Sequence, residues 1–154
     1  MDLILWRHAE AEVGIPDTER ALTAKGQRQA KLVAQFLSSR LPNNTRILVS
    51  PTIRTQQTAR ALTHHFVTEP SINTDANAIT ILEKIDWPRV DGTILLVGHQ
   101  PWLGEIAAHV MTGHSAAWQV KKGAVWWFRH REQQTNLRLV IAPEQLSPLG
   151  KRDV

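Results

Sequence analysis

Apolar residues along the chain alternate between short continuous runs and longer segments with helical spacing. Residues 24–39 have apolar positions three and four apart from Ala30 to Leu37, which predicts a helix with one buried face. Thr23 stands just before this segment and is its predicted N-cap. The continuous runs predict strands that are buried on both faces, because they lack alternating polar positions. These predicted strands are residues 2–7, 46–50 and 93–100.

Proline marks the start of two further predicted helices. Residues 51–66 and 101–113 each begin with Pro at the first helical position, and Ser50 is the predicted N-cap of the first. Residues 78–87 predict a shorter helix. Towards the C-terminus, the runs "GAVWWFRHR" and "NLRLVIAP" predict a β-hairpin that turns around "EQQT".

This order of strands and helices is typical of an α/β fold with a mostly parallel sheet. Parallel strands need crossover connections over the sheet, so we predict three layers with helices on both faces. A chain of 154 residues suits one hydrophobic core. We therefore predict a single small domain over residues 1–154, with about residues 145–154 as a surface C-terminal tail.

Composition excludes several classes of protein. The sequence contains no cysteine, so it can form neither disulfides nor thiolate metal sites. No apolar run approaches the length of a membrane helix, and an Arg-His pair interrupts the first run too early for a signal peptide. We expect a soluble cytoplasmic protein with no membrane partner.

The chain carries a net charge of +4, a feature that nucleic-acid-binding proteins share. The basic residues are scattered, however, with only short local groups, and Tyr is absent. We interpret them as a mildly basic solvated surface and expect no nucleic-acid partner. Excess positive charge also attracts phosphorylated substrates.

Cationic or ionisable side chains follow three of the predicted strands. Arg7 and His8 end the first strand, Arg54 lies one turn into the helix after the second, and His99 follows "TILLVG". In an open parallel sheet these junctions share the edge where ligands bind. Two of them also open helices, whose free N–H groups favour an anion. The spacing therefore predicts a phosphate or sulfate site.

Each of these residues has a simpler interpretation when taken alone. Arg7 could be a strand-end charge, His8 a half-buried histidine, Arg54 a solvated helix residue and His99 a helix cap. Unrelated causes would not place all four at one edge. A metal site at His8 and His99 is disfavoured, because the neighbouring arginines would repel a cation, and we expect no metal or other cofactor.

Four ordered motifs resemble those of the histidine phosphatase superfamily. "LWRHAEAE" resembles its Arg-His-Gly signature, "LTAKGQRQA" its Leu-Thr-x-x-Gly-x-x-Gln-Ala segment, "VSPTIRTQQTA" its Ser-Pro-x-x-Arg segment, and "LLVGHQP" its second-histidine segment. The short chain and the run "ERALTAKG" are most similar to the SixA group of protein phosphohistidine phosphatases. The resemblance implies a phosphoglycerate-mutase-like fold and a hydrolase.

The resemblance also implies a role for each residue at the predicted edge. His8 would attack phosphorus and form a phosphohistidine enzyme that water hydrolyses, while Arg7, Arg54 and His99 would hold the phosphoryl oxygens. Fixed cations suit the charge that phosphoryl transfer spreads over these oxygens, so no metal is required. Neighbouring arginines should lower the pKa of His8, and bound phosphate should favour a protonated His99.

The sequence departs from the family pattern in two places. Ala9 stands where the family has Gly, and no clear motif marks a proton donor before the second histidine. Asp75, just after a predicted short strand at residues 71–73, is the candidate donor, with Glu83 and Asp86 as other acidic residues of that segment. A phosphoester depends on such a donor more than phosphohistidine does, because imidazole can leave as a neutral molecule.

We therefore predict a metal-independent phosphohistidine phosphatase of signal transduction, acting as a monomer on a phosphohistidine-bearing protein such as a phosphotransfer domain. One alternative is a small-metabolite phosphomonoesterase that uses Asp75 as proton donor. A second is a non-catalytic module that recognises phosphate, although such a module would not need His8. Nucleic-acid binding independent of Arg7 and His8 is the remaining alternative.

Overall fold

The computed structural model describes residues 1–148 and 154, and within them six strands form one sheet. The strands are β1 (Asp2–Arg7), β2 (Arg46–Val49), β3 (Val67–Thr68), β4 (Thr93–Gly98), β5 (Val125–Arg131) and β6 (Gln134–Ile141). The helices are α1 (Ala24–Ser38), α2 (Ile53–Arg60), α3 (Ala78–Lys84), α4 (Trp102–Thr112) and the single-turn α5 (Pro143–Leu146). Short 3₁₀ turns span Asp17–Glu19 and Pro70–Ile72.

The strand order is β3-β2-β4-β1-β5-β6. The first four strands are parallel, and β5 and β6 complete the sheet as an antiparallel hairpin. Strand β1 lies between β4 and β5, with Arg7 opposite Gly98 and Trp6 opposite Val125. The mostly parallel sheet of the sequence analysis is confirmed, and its central strand ends at the predicted site.

Helices cover both faces of the sheet, as the continuous apolar strands predict. Alternate residues of β1 point to opposite layers: Leu3 and Leu5 join one core with α3 and α4, while Ile4 and Trp6 join another with α1 and α2. In β5, Phe128 belongs to the first core and Trp127 to the second. Two hydrophobic cores, one on each face of the sheet, therefore hold the strand ends in place.

The two proline-led helices start later than predicted. Helix α2 begins at Ile53, and its N-cap is Thr52, whose hydroxyl accepts a hydrogen bond from the Thr55 amide. Ser50 is therefore not the cap. Helix α4 likewise begins one residue after its N-cap, Pro101.

Three predicted segments end early or take another form. Helix α2 ends at Arg60 rather than residue 66, and the Thr63 hydroxyl then accepts the amide of His65, a local bond that competes with helix continuation. Helix α3 ends at Lys84 because Asp86 has a φ of 55°. The strand predicted at residues 71–73 is wrong, since that segment begins with a 3₁₀ turn.

The side chain of Glu69 accounts for this turn. It accepts a hydrogen bond from the amide of Ser71, and Pro70 between them has no N–H to give to a sheet. The strand of this region lies just before it, where Val67 and Thr68 pair with β2.

The C-terminal hairpin is confirmed, with Glu132 and Gln133 forming its turn at φ values of 51° and 63°. After it, Leu146 of α5 packs partly buried against the core beneath α1. Of the predicted surface tail, residues 149–153 lie outside the described residues. Among the residues that the structure does describe, no helix is long and apolar enough to span a membrane.

Candidate active site

Main-chain hydrogen bonds fix the end of β1, where Arg7 and His8 lie. The amide of His8 donates to the carbonyl of Gly98 in β4 at 3.1 Å. From the other side, the amide of Gly123 donates to the carbonyls of Arg7 and His8 at 3.2 and 3.0 Å. The position of His8 is therefore set by strands on both sides of β1.

The imidazole of His8 is held in one tautomer. Its Nδ1 lies 2.7 Å from the carbonyl oxygen of Ala9. A carbonyl can only accept, so Nδ1 carries the proton and Nε2 keeps its lone pair. Burial lowers the pKa of His8 to about 3, with the charges of Arg54 and Arg7 acting in the same direction and the bond to Ala9 opposing them. The ring is thus neutral near pH 7, as a nucleophile requires.

His99 lies beside His8, with ring centroids 5.4 Å apart. Its Nε2 is hydrogen-bonded to the hydroxyl of Ser50 at 2.7 Å, while its Nδ1 is buried and has no hydrogen-bond partner. Burial is the main cause that lowers the pKa of His99 to about 3, followed by His8 and Arg54. Ser50, predicted as a helix cap, instead orients this ring.

Two arginines complete the cluster. Nη1 of Arg7 donates to the carbonyl of Val120 at 2.8 Å, and Arg54 donates to the carbonyl and carboxylate of Asp17 at 2.7 and 3.0 Å. Arg54 is almost wholly buried, with 4% of its surface exposed. Burial and the nearby charge of Arg54 lower the pKa of Arg7. Among the described residues Asp17 pairs with Arg54, but no carboxylate pairs with the half-buried Arg7, so the cluster keeps positive charge that attracts an anion.

The buried polar atoms left without a partner indicate where that anion would bind. In the described part of the chain, the buried side-chain nitrogens that lack a hydrogen bond are Nε of Arg7, Nε of Arg54 and Nδ1 of His99. Such atoms are rare in folded proteins, and all three belong to this cluster. The structure therefore brings together Arg7, His8, Arg54 and His99, the four residues that the strand junctions predict.

Asp17 and Arg20 are two residues of this region that the sequence analysis missed. The Asp17 carboxylate accepts hydrogen bonds from Arg20 and Arg54, which lower its pKa. Arg20 also donates from Nε to the carbonyl of Glu12 at 2.6 Å. No periodicity marks this loop, and the run "ERALTAKG" contains Arg20 without marking it as a site residue.

A second layer of contacts supports the segment after His8. The Ala9 amide donates to the Thr58 hydroxyl at 3.1 Å, and the Glu10 amide donates to Gln29 at 2.9 Å. Gly26 of α1 lies so close that a Cβ there would be 1.9 Å from the carbonyl oxygen of Glu10. The glycine of the "LTAKG" motif thus allows α1 to pack directly against this segment.

Ala9 does not need the conformational freedom of glycine. Among the described residues, the non-glycine residues with positive φ are Asp86, Glu132 and Gln133, so Ala9 lies in an ordinary region. Its methyl group packs in a small core cluster with Leu22 and Ala30. Alanine at this position is therefore compatible with the site.

The candidate proton donor Asp75 is exposed in the loop before α3. This loop borders the cluster indirectly: Trp102 donates from Nε1 to the carbonyl of Asn73 at 3.0 Å, and its ring meets that of His99 edge-on at 6.4 Å. Glu83 and Asp86, which follow in and after α3, contribute no bond to the cluster among the contacts of the described residues. Asp75 thus follows a residue that contacts Trp102, but no contact among the described residues joins its own side chain to the cluster.

The comparison with known families agrees with this geometry. Residues 3–79 match the family model of the histidine phosphatase superfamily (branch 1). The matched region contains Arg7, His8 and Arg54. A phosphohistidine phosphatase SixA homolog of Haemophilus influenzae is 32% identical over 71% of this chain and 77% of its own length. The chain belongs to the histidine phosphatase superfamily.

Solved structures show the same fold. The protein histidine phosphatase SixA, in complex with tungstate, superposes with a TM-score of 0.80 at 21% identity, over 96% of this chain and 100% of that one. A phosphoserine phosphatase of Entamoeba histolytica, in complex with 3-phosphoglyceric acid, superposes with a TM-score of 0.68 at 18% identity. The match covers 95% of this chain and 99% of that one. The fold is therefore SixA-like and phosphoglycerate-mutase-like, and it is shared by phosphatases for different substrates.

Proposed function

We propose that this protein is a phosphohistidine phosphatase that uses His8 as its nucleophile. The observation that carries the proposal is the neutral Nε2 of His8, fixed by the Nδ1 bond to Ala9, beside three unpartnered buried nitrogens. Nε2 would attack the phosphorus of a protein-borne phosphohistidine. The substrate N–P bond would break as the new one forms, and the substrate histidine, already protonated on its other ring nitrogen, would leave as neutral imidazole.

Water would complete the cycle by attacking phosphorus, which breaks the bond to Nε2 and releases phosphate and free His8. The Nε atoms of Arg7 and Arg54 and Nδ1 of His99 would hold the phosphoryl oxygens in both steps. Preorganised charge of this kind stabilises the transition state without reorganisation of the site. Arrival of a phosphoryl dianion would also raise the pKa of His99 and favour its protonated, hydrogen-donating form.

The carboxylates around the site favour a nitrogen leaving group. Asp17 is held ionised by its two arginine partners, because they lower its pKa. Glu10 accepts a hydrogen bond from the Thr23 hydroxyl at 2.8 Å, and Asp75 is exposed. A phosphoester would need one of them as general acid to protonate an alkoxide, whereas a protonated phosphohistidine releases neutral imidazole.

The relative in Haemophilus influenzae supports the same choice of substrate through its name, phosphohistidine phosphatase SixA homolog. We further propose that the enzyme is cytoplasmic, takes part in signal transduction, acts as a monomer and needs no metal. Activity in the presence of a metal chelator would support the last point, and its loss on chelation would contradict it.

The proposal is tested by incubating the protein with a phosphotransfer domain phosphorylated on histidine and measuring the release of phosphate. We expect rapid release by wild type, none by His8→Ala, and wild-type rates for His64→Ala, which removes an exposed histidine. Release that is unchanged in His8→Ala would overturn the proposed nucleophile.

Two other functions predict different results in the same assay. A small-metabolite phosphomonoesterase would hydrolyse phosphoserine faster than phosphohistidine and would lose that activity in Asp75→Asn. A non-catalytic module would bind phosphate competitively without releasing it from any substrate. Either result would replace the proposed function.

A further inference from the structure

Two large aliphatic side chains near the site are almost fully exposed. Val13 and Ile15 have 97% and 98% of their surface accessible to solvent. They flank Gly14 in the loop between β1 and α1, a few residues after His8. Adjacent aliphatic side chains held in water are typical of an interaction site, because covering them is favourable.

The loop that carries these side chains is anchored at its base. Ala11 and Leu22 form an isolated antiparallel bridge, and the Glu12 amide donates to the carbonyl of Ala21 at 2.7 Å. Arg20 closes the loop through its bond to the carbonyl of Glu12. The two ends of the loop that carries Val13 and Ile15 are therefore held against each other.

The same loop reaches the candidate active site. Asp17, two residues after Ile15, accepts two hydrogen bonds from Arg54. The exposed pair therefore lies on the rim of the site rather than on a remote surface. A molecule that delivers a phosphoryl group to His8 would pass beside it.

A groove between α1 and α2 continues from the base of this loop. Its volume is about 790 Å³, and Leu22, which bonds to Gln57 of α2, forms part of its wall. Its lining includes Ala30 and Ala61, the side chains of Gln27 and Gln57, and the exposed cations Lys31 and Arg60. The groove lining is therefore partly apolar and carries positive charge.

We infer that Val13, Ile15 and the α1–α2 groove form the docking surface for the protein that carries the phosphohistidine. This inference rests on the proposed function and names the partner chemistry: a folded protein whose phosphohistidine is flanked by apolar side chains and acidic residues. The apolar residues would cover Val13 and Ile15, and the acidic residues would complement Lys31 and Arg60. A small phosphorylated metabolite would reach His8 without covering this surface.

The test compares two substrates that share the N–P bond but differ in size. For wild type and Val13→Ser/Ile15→Ser, kcat/KM is measured with a phosphohistidine-bearing phosphotransfer domain of acidic surface and with phosphoramidate. We expect the double variant to lose about tenfold or more with the protein substrate and to keep its rate with phosphoramidate. Circular dichroism confirms that the variant is folded.

Two further variants separate docking from general surface effects. Val67→Ser/Val140→Ser removes two exposed valines on β3 and β6 and should leave both rates unchanged. Lys31→Glu/Arg60→Glu should lower kcat/KM for the protein substrate only, and the difference from wild type should shrink as salt is added.

Each contrary outcome has its own meaning. Equal loss with both substrates, or no loss with the protein, would overturn the docking surface while leaving the phosphatase intact. Wild type inactive on both substrates would overturn the proposed function and this inference together. A wild-type dimer that Val13→Ser/Ile15→Ser converts to monomer would assign the surface to a second copy of the chain, and this too would overturn the inference.

Discussion

His8 and His99 face each other with ring centroids 5.4 Å apart, and each is anchored through the opposite nitrogen. His8 uses Nδ1 to bond the carbonyl of Ala9, and His99 uses Nε2 to bond the hydroxyl of Ser50. The pair therefore leaves Nε2 of one ring and Nδ1 of the other for a ligand. This complementary anchoring makes the two rings chemically distinct, although both are buried.

The first prediction concerns which nitrogen of His8 is phosphorylated. Because the proton is fixed on Nδ1, the covalent intermediate should carry phosphate on Nε2. Rapid quenching with base after mixing with substrate, followed by NMR of the ¹⁵N-labelled protein, would locate the phosphoryl group. Phosphate on Nδ1 would show that the imidazole ring of His8 flips before it attacks phosphorus.

A second prediction concerns Ser50, which positions His99. Ser50→Ala removes the only hydroxyl bonded to Nε2 among the described residues and leaves a buried nitrogen without a partner. We expect a loss of about 1–3 kcal/mol in the free energy of unfolding and a decrease of about tenfold in kcat/KM. Urea unfolding and steady-state kinetics measure both, with Ser38→Ala at an exposed serine as the control. An unchanged kcat/KM would mean that packing alone orients His99.

A third prediction follows from the ion pair between Arg54 and Asp17. In the proposed function Arg54 binds phosphate and the Asp17 carboxylate would compete for it, so Asp17→Asn should strengthen binding of inorganic phosphate. Because this side chain is 55% exposed, water screens the charge, and we expect a gain of only about two- to fivefold. Titration calorimetry checks this result against Glu19→Gln, an exposed acid in the same turn. Weaker binding in Asp17→Asn would show instead that the carboxylate positions Arg54.

The fourth prediction concerns the contact between α1 and the segment after His8. Gly26→Ala would place a methyl group 1.9 Å from the main-chain oxygen of Glu10. Either α1 or the segment after His8 must therefore move. We expect a destabilisation of about 1–3 kcal/mol and a loss of activity, because the same segment follows His8, the proposed nucleophile. Gly14→Ala is the control, with activity measured on phosphoramidate, since no atom lies within 4 Å of its Cβ position and this small substrate would not use the proposed docking surface. Full activity in Gly26→Ala would show that this segment can shift without displacing His8.

The fifth prediction is a loss of stability in mild acid. Below a pH of about 6.5 the unfolded chain protonates both histidines, while the folded pKa values of His8 and His99, both about 3, keep them neutral. The unfolded state then binds more protons, so stability falls as pH falls, by about 1.4 kcal/mol per pH unit for each histidine. Urea unfolding at about pH 7, 6 and 5 measures this slope.

Variants assign that slope to individual residues. His8→Asn and His99→Asn should each make stability less dependent on pH in this range, whereas His64→Asn, at an exposed position, should not. The range lies above the titration of most carboxylates, so their contribution is small. An identical slope in wild type and His8→Asn would contradict the buried, neutral state of this ring.

The parts of the structure that the sequence predicts are those that depend on local pattern. Continuous apolar runs are typical of buried strands, and the ends of these strands place Arg7, His8 and His99 at one edge. Ser50 shows the limit of such reasoning, because Ser before Pro resembles a helix cap, yet its hydroxyl bonds to His99 from another strand. Asp17 could not be predicted at all, since its contact with Arg54 joins positions 37 residues apart in the sequence.

The segment that closes the site behind Arg7 contributes main-chain atoms rather than side chains. The carbonyls of Val120 and Ala124 and the amide of Gly123 all bond to Arg7. Val120 and Ala124 are themselves buried in the core beside α4, and the φ of 75° at Gly123 favours glycine. An insertion or deletion here would therefore displace Arg7 even if every side chain were kept, since the length and path of the chain hold the arginine in place.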